Sequence, residues 1–343
     1  MLCHPGQKRM EETIGQHFWW PEMRKQIRDF VRNCDICQRT KRKPLKYGLL
    51  PPKEAEAKPW DKLCIDLIGP YKIRRKGKKD LILKACTMID PATGWFEVCQ
   101  YDDKRSVTVA NIAEQEWFSR YPWPTLISFD RGSEFIGQDF KEMIKNDYGI
   151  KGKPITTRNP QANSVVERIH QVLANMVRTF ELENKYLDKE DPWKAILSAT
   201  AFAVRSTIST TTQSTPAQLV FGRDMMLNIK HMANWEFIRD RKQKLINKNN
   251  QRENSKRIPY EYKTGDLVLI RKGSENKYET PFTGPFSILM VNDNGTVKLQ
   301  KGAVTDSVNI RRLSPYNKPS NINHGGECNA PLLRRSQRRT DRP

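Results

Sequence analysis

Apolar residues recur at three- and four-residue steps near the N-terminus. Between residues 16 and 37 the positions that carry this period are Trp19, Met23, Ile27, Phe30 and Val31. The spacing predicts one helix with an apolar face, and Pro21 is compatible with its first turn. This helix would form the body of a small module over residues 1–43. A basic stretch with several prolines follows, and we interpret residues 44–58 as an extended linker.

The pattern changes to apolar runs of strand length after the linker. Three runs follow one another and predict an antiparallel meander; they cover residues 63–68, 81–89 and 95–101. Helical and extended patterns then alternate. A helix is expected from Ser106, which would be its N-cap, a strand over 125–129, a helix over 138–147, extended chain over 149–157 and the longest helix from near Ser164. This order predicts an α/β domain over residues 59–224.

The remaining third of the chain begins with a polar segment and then returns to strand patterns. Residues 239–257 are crowded with lysine, arginine and asparagine. Two interpretations stay open there, a solvated helix or a basic connector, and we assign residues 225–258 to this connector. Short apolar runs with a turn signal at residues 293–295 predict a small β-barrel of about five strands over residues 259–316. Residues 317–343 have too few apolar positions for a core, which predicts a disordered basic tail.

Composition narrows the choice of partners. The 343 residues include 60 lysines and arginines against 39 aspartates and glutamates, a formal net charge of +21. Such a charge favours a polyanionic partner, and nucleic acid is the first candidate. No apolar run approaches the length of a membrane-spanning helix, so we expect no membrane partner. The N-terminal residues lack the layout of a secretory signal, and we therefore expect the seven cysteines to be buried or metal-bound rather than paired in disulfides.

Three carboxylates stand out from their local sequence. Asp66 lies within an apolar run, where a charge is costly unless it is paired or metal-bound. Asp130 ends a second apolar run, and Glu167 falls in the first turn of the longest predicted helix. Each also has a plain structural explanation: a hydrogen-bonded buried aspartate, a turn residue, and a charge at a helix N-terminus. Together they are the oxygen ligands that a pair of magnesium or manganese ions needs for phosphoryl transfer.

The segments around these carboxylates resemble one known family. They read Trp60-Asp-Lys-Leu-Cys-Ile-Asp66, Ser128-Phe-Asp130-Arg-Gly-Ser-Glu-Phe135 and Asn159-Pro-Gln-Ala-Asn163-Ser-Val-Val-Glu167-Arg168, with thirty-six residues between the second and third carboxylates. In order and spacing the chain resembles the integrases of gypsy-type LTR retrotransposons, which are retroviral-type DDE integrases cut from Pol polyproteins. The resemblance implies a ribonuclease-H-like α/β core. It also implies that Asp66, Asp130 and Glu167 are the catalytic residues and hold two magnesium or manganese ions.

The resemblance further implies DNA integration in two steps, namely metal-dependent processing of the 3′ ends of element DNA and strand transfer into target DNA. The expected partners are both DNA duplexes and further copies of the chain in a homo-oligomer, and no small-molecule substrate is expected. The expected location is the nucleus, in part the cytoplasm as a component of a particle or polyprotein. Two other functions stay open: a decayed or domesticated copy that binds DNA without catalysis, and another ribonuclease-H-like nuclease.

A second set of metal ligands lies in the N-terminal module. Cys34 and Cys37 have the spacing with which two thiolates bind one zinc ion, and His4 precedes them. The surroundings resemble the N-terminal zinc domain of the same family, which implies zinc ligation by all three. The family's first histidine would lie upstream of the first residue, so we expect a chain cut from a longer one, with an incomplete site and weak zinc binding. His17 occupies a non-ligand position of the family, and Cys3 is awkwardly close to His4.

Basic and polar residues near the carboxylates are candidate DNA contacts. They are Lys72, Arg74, Arg75, Lys76, Lys78 and Lys79 in a predicted hairpin loop, and Gln161, Asn163 and Arg168 beside Glu167. The loop either meets DNA phosphates or is a solvated face, and Arg168 is equally a surface ion-pair partner. Residues 283–286, Thr-Gly-Pro-Phe, resemble the GPY/F module that follows the catalytic domain in gypsy-type integrases. The arginine-rich tail is expected to bind nucleic acid, to serve as a nuclear import signal or to stay disordered.

Overall fold

The computed structural model describes residues 4–41, 45–73, 81–155, 164–183, 192–273 and 279–318. It describes the side chains in these ranges except those of residues 73, 81, 164–167, 177, 179–183 and 192. The chain divides into two compact units. The larger is Pro52–Gln251, and the smaller combines the described parts of Met1–Pro51 and Arg252–Pro343.

The helices, in chain order, are α1 (Gln7–Gly15), α2 (Met23–Asn33), α3 (Asp35–Thr40), α4 (Ser106–Ala113), α5 (Ser133–Ile136), α6 (Gln138–Glu142), α7 (Ser164–Glu183), α8 (Pro192–Ser206), α9 (Pro216–Phe221) and α10 (Trp235–Asn254). The strands are β1 (Lys46–Tyr47), β2 (Lys62–Ile73), β3 (Leu81–Ile89), β4 (Phe96–Gln100), β5 (Leu126–Phe129), β6 (Lys151–Pro154), β7 (Arg257–Ile258), β8 (Leu267–Arg271), β9 (Phe282–Val291), β10 (Thr296–Lys301), β11 (Val304–Asn309) and β12 (Leu313–Pro315). Two π-helical turns, Glu114–Phe118 and Met143–Asp147, extend α4 and α6.

The larger unit is built on a five-stranded mixed sheet with the order β4-β3-β2-β5-β6. The strands β2, β3 and β4 pair antiparallel, which confirms the predicted meander. The strands β5 and β6 then add in parallel, β5 beside β2. Parallel neighbours need a crossover connection, and α4 and α6 supply it. Three antiparallel strands followed by parallel strands with helical crossovers give the α/β architecture predicted for this region.

Alternation along β2 sends its side chains to opposite faces of the sheet. Leu63 and Ile65 join the cluster formed with α4, α5 and α6. Cys64 and Ile68 face the other way, where they pack against Ile169 and Leu173 of α7 and against α8. Helices therefore cover both faces, and α7 lies over the face that carries the even-numbered positions of β2.

The smaller unit contains a five-stranded antiparallel sheet with the order β11-β10-β9-β8-β12. A cluster of its buried residues includes Val268, Ile288, Val297, Leu299 and Leu313. The turn predicted at residues 293–295 joins β9 to β10, and Gly295 has the positive φ of 74° that this turn uses. The sequence predicted a small β-barrel of about five strands, and the structure has five strands here in one antiparallel sheet.

Part of the segment predicted as a linker belongs to the smaller unit. The strand β1 pairs in parallel with β7, with Lys46 opposite Arg257. Arg257 is buried, and its guanidinium donates to the backbone oxygens of Tyr47, at 2.6 Å, and Gly48. The side chain of Asn254 pairs with both backbone groups of Leu50. These contacts hold residues 46–50 in place instead of leaving them as an extended tether.

The single N-terminal helix predicted over residues 16–37 is wrong. The helix α1 ends at Gly15 and α2 begins at Met23. Pro21 disfavours a helical conformation of the residue that precedes it, which prevents one helix from running through this stretch. Cys34 then interrupts the helical path in an extended conformation, with φ −65° and ψ 116°, before α3 begins.

The predicted apolar face of this module is only partly buried. Ile27 is in the core, whereas Trp19 and Phe30 are 65% and 56% exposed. A small module has little interior volume, and three short helices cannot cover the face that one long helix was expected to present. On α7, Ile169 and Leu173 are buried, whereas Val172 is exposed.

Two further predictions concern helix starts and composition. Ser106 is not the N-cap of α4; that position is Arg105, and the Ser106 hydroxyl instead accepts the Phe140 N–H at 3.0 Å.

For residues 239–257, the helical interpretation is confirmed by α10. In the described part of the chain, none of the helices has the length and apolarity that a membrane span requires.

Candidate active site and zinc site

Asp66 and Asp130 lie close to the point where the pairing of β2 with β5 ends. The strands β2 and β5 are parallel neighbours, and Cys64 is the register partner of Ser128. Asp66 follows Cys64 by two residues within β2, and Asp130 follows Ser128 by two residues, one residue beyond the end of β5. The carboxyl end of a parallel strand such as β5 is where sites form in α/β folds.

The two aspartates differ in their surroundings. Asp66 is half-buried, and its Oδ1 accepts the Leu67 N–H at 2.9 Å. Asp130 is exposed, and its Oδ1 accepts the Gly132 N–H at 2.8 Å in a turn directly after β5. Backbone donors of this kind fix the orientation of a carboxylate. The donor set is entirely oxygen, which suits magnesium or manganese better than softer ions.

The turn after β5 has a steric requirement for glycine. A Cβ atom at Gly132 would lie 2.6 Å from Cδ of Glu134. Glu134 is itself buried, with its carboxylate accepting the Ser133 hydroxyl at 3.3 Å, so it has little room to move away. The close approach of this buried glutamate therefore shapes the loop that carries Asp130.

Glu167 belongs to the first turn of α7, and its side chain lies outside the described residues. The helix itself is held against the sheet by Ile169 and Leu173, on the face to which even-numbered positions of β2 project. Asp66 is one of these even-numbered positions. The structure therefore brings the backbone of α7 to the face of the sheet that carries Asp66.

Sequence reasoning missed two residues next to this site. Thr87, in β3, is the register partner of Asp66 and is 1% exposed. Its hydroxyl donates to the Asp66 backbone oxygen at 3.0 Å and lies 3.0 Å from Nε2 of His170, on α7. Burial lowers the pKa of His170 to about 4, so the ring is neutral near pH 7. The sequence offered one signal, a histidine three residues after Glu167.

The N-terminal module brings three metal-binding side chains together. The ligand atoms of His4, Cys34 and Cys37 all lie within 4.8 Å of one another, and Nδ1 of His4 is 3.4 Å from Sγ of Cys34. Cys34 directly precedes α3 and Cys37 lies in its first turns, so the helix start fixes the spacing of the two thiols. Burial and the neighbouring Cys34 raise the pKa of the Cys37 thiol. A thiolate pair without a cation is unfavourable, and a bound metal ion would remove this cost.

The helix that carries these cysteines is also bound to the C-terminal strands within the smaller unit. Gln38 is buried, and its amide makes two hydrogen bonds with the backbone of Asn317, at 2.8 and 2.9 Å. Arg39 donates to the Gly284 backbone oxygen at 3.0 Å, and the Tyr316 hydroxyl donates to Asp35 at 3.0 Å. The zinc module and the C-terminal sheet therefore share a polar interface that runs along α3.

The structure describes only part of the predicted DNA-contact set. Lys72 is exposed at the end of β2, and Arg168 is exposed on α7. The remaining candidates lie outside the described residues: Arg74, Arg75, Lys76, Lys78, Lys79, Gln161 and Asn163, together with the arginine-rich tail. The exposure of Lys72 and Arg168 is compatible both with DNA contact and with a solvated surface.

Comparisons with known proteins bear on the N-terminal module and on the chain as a whole. A family model described as the integrase zinc binding domain matches residues 1–43. The retrovirus-related Pol polyprotein from transposon 412 of Drosophila melanogaster is 26% identical over 320 residues, covering 86% of this chain and 25% of the polyprotein. The Pro-Pol polyprotein of feline foamy virus is 25% identical over 247 residues, covering 71% of this chain and 20% of the polyprotein. The chain thus spans a quarter or less of the length of these curated relatives.

A solved structure shows the same fold. It is a chain of the simian T-cell lymphotropic virus intasome, determined by cryo-electron microscopy in complex with PP2A regulatory subunit B56 gamma. The match has a TM-score of 0.59 at 13% sequence identity and covers 91% of this chain and 95% of that chain. At this identity the likeness concerns the fold, and it extends over nearly the whole chain.

Proposed function

We propose that this chain, a retroviral-type integrase of the kind encoded in Pol polyproteins, joins the ends of element DNA to target DNA. The single observation that carries this proposal is the parallel pairing of β2 with β5, which brings Asp66 of β2 near Asp130, the residue that directly follows β5. Asp66 belongs to the sheet face that α7 covers, and α7 contains Glu167. Several carboxylates gathered in this way are what a metal-dependent phosphoryl-transfer site requires.

The proposed ligands of the divalent ions are Asp66, Asp130 and Glu167. Two bound ions would supply Lewis-acid activation of the attacking oxygen and compensation of charge on the phosphate. The residues of the chain hold the carboxylates at fixed positions: the Leu67 and Gly132 N–H groups orient Asp66 and Asp130, respectively. This preorganisation means that little reorganisation is left for the moment of reaction.

Two reactions with the same chemistry follow. In end processing, the oxygen of a water molecule attacks a phosphodiester near the 3′ end of the element, and the P–O3′ bond breaks to leave a free 3′ hydroxyl. In strand transfer, this hydroxyl attacks a target phosphodiester, and the P–O3′ bond of the target breaks in turn. Both are direct displacements at phosphorus, so the chain need not supply a covalent nucleophile.

DNA binding is proposed to rest on charge and on more than one copy of the chain. The net charge of +21 favours contact with phosphates along two duplexes. Lys72 and Arg168 are exposed and are proposed to contribute such contacts. Bringing two element ends to one target requires at least two active sites, and we therefore propose a homo-oligomer as the acting species.

We also propose one zinc ion in the N-terminal module, held by His4, Cys34 and Cys37. Structural zinc in proteins takes four ligands, and the described cluster offers three. Zinc binding should therefore be weaker than in a four-ligand finger. Inductively coupled plasma mass spectrometry after exhaustive dialysis should find well under one zinc per chain, and stoichiometric retention would contradict the three-ligand account.

The proposed activity is tested by separating DNA binding from DNA joining. The substitution Asp66→Asn removes one negative charge with almost no change in shape. We expect it to leave binding to a DNA duplex intact and to reduce joining in Mg²⁺ by at least about a thousandfold, because a metal ligand is lost. A matched control is Asp139→Asn, at an exposed aspartate of α6, which should join at the parental rate.

The outcomes of this assay separate the candidate functions. Loss of joining by Asp66→Asn alone supports the integrase. Joining by Asp66→Asn at the parental rate would refute the assignment of the site. Binding without joining by the parental chain would favour a DNA-binding protein that has lost catalysis.

A further inference from the structure

A chain of two hydrogen bonds connects α7 to the strand that carries Asp66. The hydroxyl of Thr87 has one hydrogen, which it donates to the Asp66 backbone oxygen at 3.0 Å. The same oxygen of Thr87 lies 3.0 Å from Nε2 of His170. Because the threonine hydrogen is already used, His170 must donate through Nε2, and the ring is the Nε2–H tautomer. The connection therefore runs from imidazole to hydroxyl to carbonyl, with each donor used once.

Apolar packing alone does not fix the position of α7 along the sheet. Ile169 packs beside Cys64 and Ile89, and Leu173 beside Ile68 and Leu83. Such contacts resist separation of the helix from the sheet, but they are non-directional and tolerate small slides and rotations. His170 lies between these two positions and adds a directional contact. Its hydrogen bond to Thr87 sets the rotation of the helix about its own axis.

We propose that Thr87 and His170 are positioning residues that hold the first turn of α7 at the correct distance and rotation relative to Asp66. Glu167 precedes His170 by three residues, and residues three apart are neighbours on one helix surface. A restraint on His170 is therefore a restraint on the backbone at Glu167. This inference rests on the proposed function, since it assumes that both acidic residues bind the same divalent ions.

The consequence is a preference among ions rather than a general loss of binding. Magnesium requires near-ideal octahedral geometry, whereas calcium accepts flexible geometries with varied ligand number. Loss of the hydrogen-bonded connection should loosen the spacing between β2 and α7. Binding of Mg²⁺ should then weaken more than binding of Ca²⁺. A purely structural contribution of Thr87 would lower stability without changing the ratio of the two affinities.

The experiment measures ion binding through thermal unfolding of the full chain, so it does not depend on catalysis. The rise in Tm with ion concentration gives a half-saturating concentration for Mg²⁺ and for Ca²⁺. Thr87→Val removes the hydroxyl and keeps the shape, and Thr87→Ser keeps the hydroxyl. The matched control is Thr200→Val, at a fully buried threonine of α8 whose hydroxyl donates to Ile196 within its own helix.

We expect Thr87→Val to raise the half-saturating Mg²⁺ concentration by about tenfold, the lower end of what loss of an outer partner of a metal ligand costs. The Ca²⁺ value should change by less than about threefold, because calcium tolerates the looser spacing. Thr87→Ser should restore the parental Mg²⁺ value. The control Thr200→Val should lower the ion-free Tm without changing either value.

A second pair of variants covers the case in which Thr87→Val does not fold. His170→Gln retains a nitrogen donor near the position of Nε2, whereas His170→Leu removes it. We expect the glutamine variant to stay within about threefold of the parental Mg²⁺ value and the leucine variant to resemble Thr87→Val. Parental Mg²⁺-to-Ca²⁺ ratios in both Thr87→Val and His170→Leu would overturn the proposal.

Asp66→Asn separates this failure from failure of the proposed function. If Asp66→Asn abolishes the ion-dependent rise in Tm while Thr87→Val leaves it unchanged, the metal site stands and the positioning role is wrong. If Asp66→Asn responds to Mg²⁺ like the parental chain, Asp66 is not a ligand. The proposed function and the positioning role that rests on it would then both be wrong.

Discussion

His170 is a buried imidazole that is neutral in the folded chain near pH 7. Burial lowers its pKa from 6.5 to about 4. Between these values the unfolded chain binds a proton at this position and the folded chain does not. Proton binding to the unfolded state favours unfolding, so the contribution of this residue to stability is present above about pH 6.5 and is lost as the pH falls towards 4.

This linkage predicts a difference between the parental chain and His170→Gln. Glutamine does not titrate, so the variant should lose less stability than the parental chain as the pH falls from about 7 to about 4. Urea unfolding at several pH values in this window measures the difference in unfolding free energy. Parallel pH profiles for the two proteins would show that His170 has the same pKa in the folded and unfolded chains, which would contradict its burial as a neutral ring.

At the scale of single residues, the local sequence identifies some candidate site residues but not others. Asp66 and Asp130 are visible because a charge at an apolar strand is locally anomalous. Thr87 is not visible, since threonine is common in strands and only its contact with His170 gives it a role. That contact joins positions eighty-three residues apart, and no local pattern encodes it.

At the scale of elements, a buried lysine of α10 holds this helix against two other segments of the larger unit. Lys242 is 8% exposed, and its ammonium donates to the backbone oxygens of Glu56, Pro91 and Ala92 at 2.7–2.9 Å. It thereby fixes the helix to the turn between β3 and β4 and to the segment that precedes β2. Burial lowers the pKa of this ammonium to about 8.

Replacing Lys242 by methionine keeps the length of the side chain and removes all three donors. We expect the unfolding free energy to fall by about 3 kcal/mol, because buried carbonyl oxygens lose their partners. The control Lys244→Met, at an exposed lysine two residues along the same helix, should stay within about 0.5 kcal/mol of the parental value. Equal values for the two variants, measured by urea unfolding, would mean that Lys242 does not carry this attachment.

The sequence predicted best the elements whose formation depends on a local pattern of apolar and polar residues. The strands β2, β3 and β4 are apolar runs bounded by polar turns, and their extents were found within a few residues apart from the extension of β2 to Ile73. The N-terminal helix was predicted wrongly because its apolar period continues across Pro21 and because Cys34, in an extended conformation, interrupts the helical path. For α10, the composition left two interpretations open, a helix or a connector. Composition cannot predict the contacts of Lys242, because these join residues that are far apart in the sequence.

At the scale of the whole molecule, the ribonuclease-H-like α/β core, the N-terminal zinc-binding module and the five-stranded C-terminal module all agree with the sequence prediction. The interface along α3 was not predicted. Its hydrogen bonds between Gln38 and Asn317 connect positions 279 residues apart. Such contacts depend on the tertiary structure, which neither the hydrophobic periodicity nor the sequence motifs specify.

The central claim is that Asp66, Asp130 and Glu167 act as one site, and non-additivity tests it most directly. Strand transfer of preprocessed element ends in Mg²⁺ should be compared for the parental chain, Asp66→Asn, Glu167→Gln and the double variant. When residues act as a unit, replacing one of them already removes their shared contribution to the rate, so replacing a second costs little more. We predict that each single variant loses at least about a thousandfold in joining rate and that the double variant loses little more. Parental joining by either single variant, or losses that multiply in the double variant, would contradict the account.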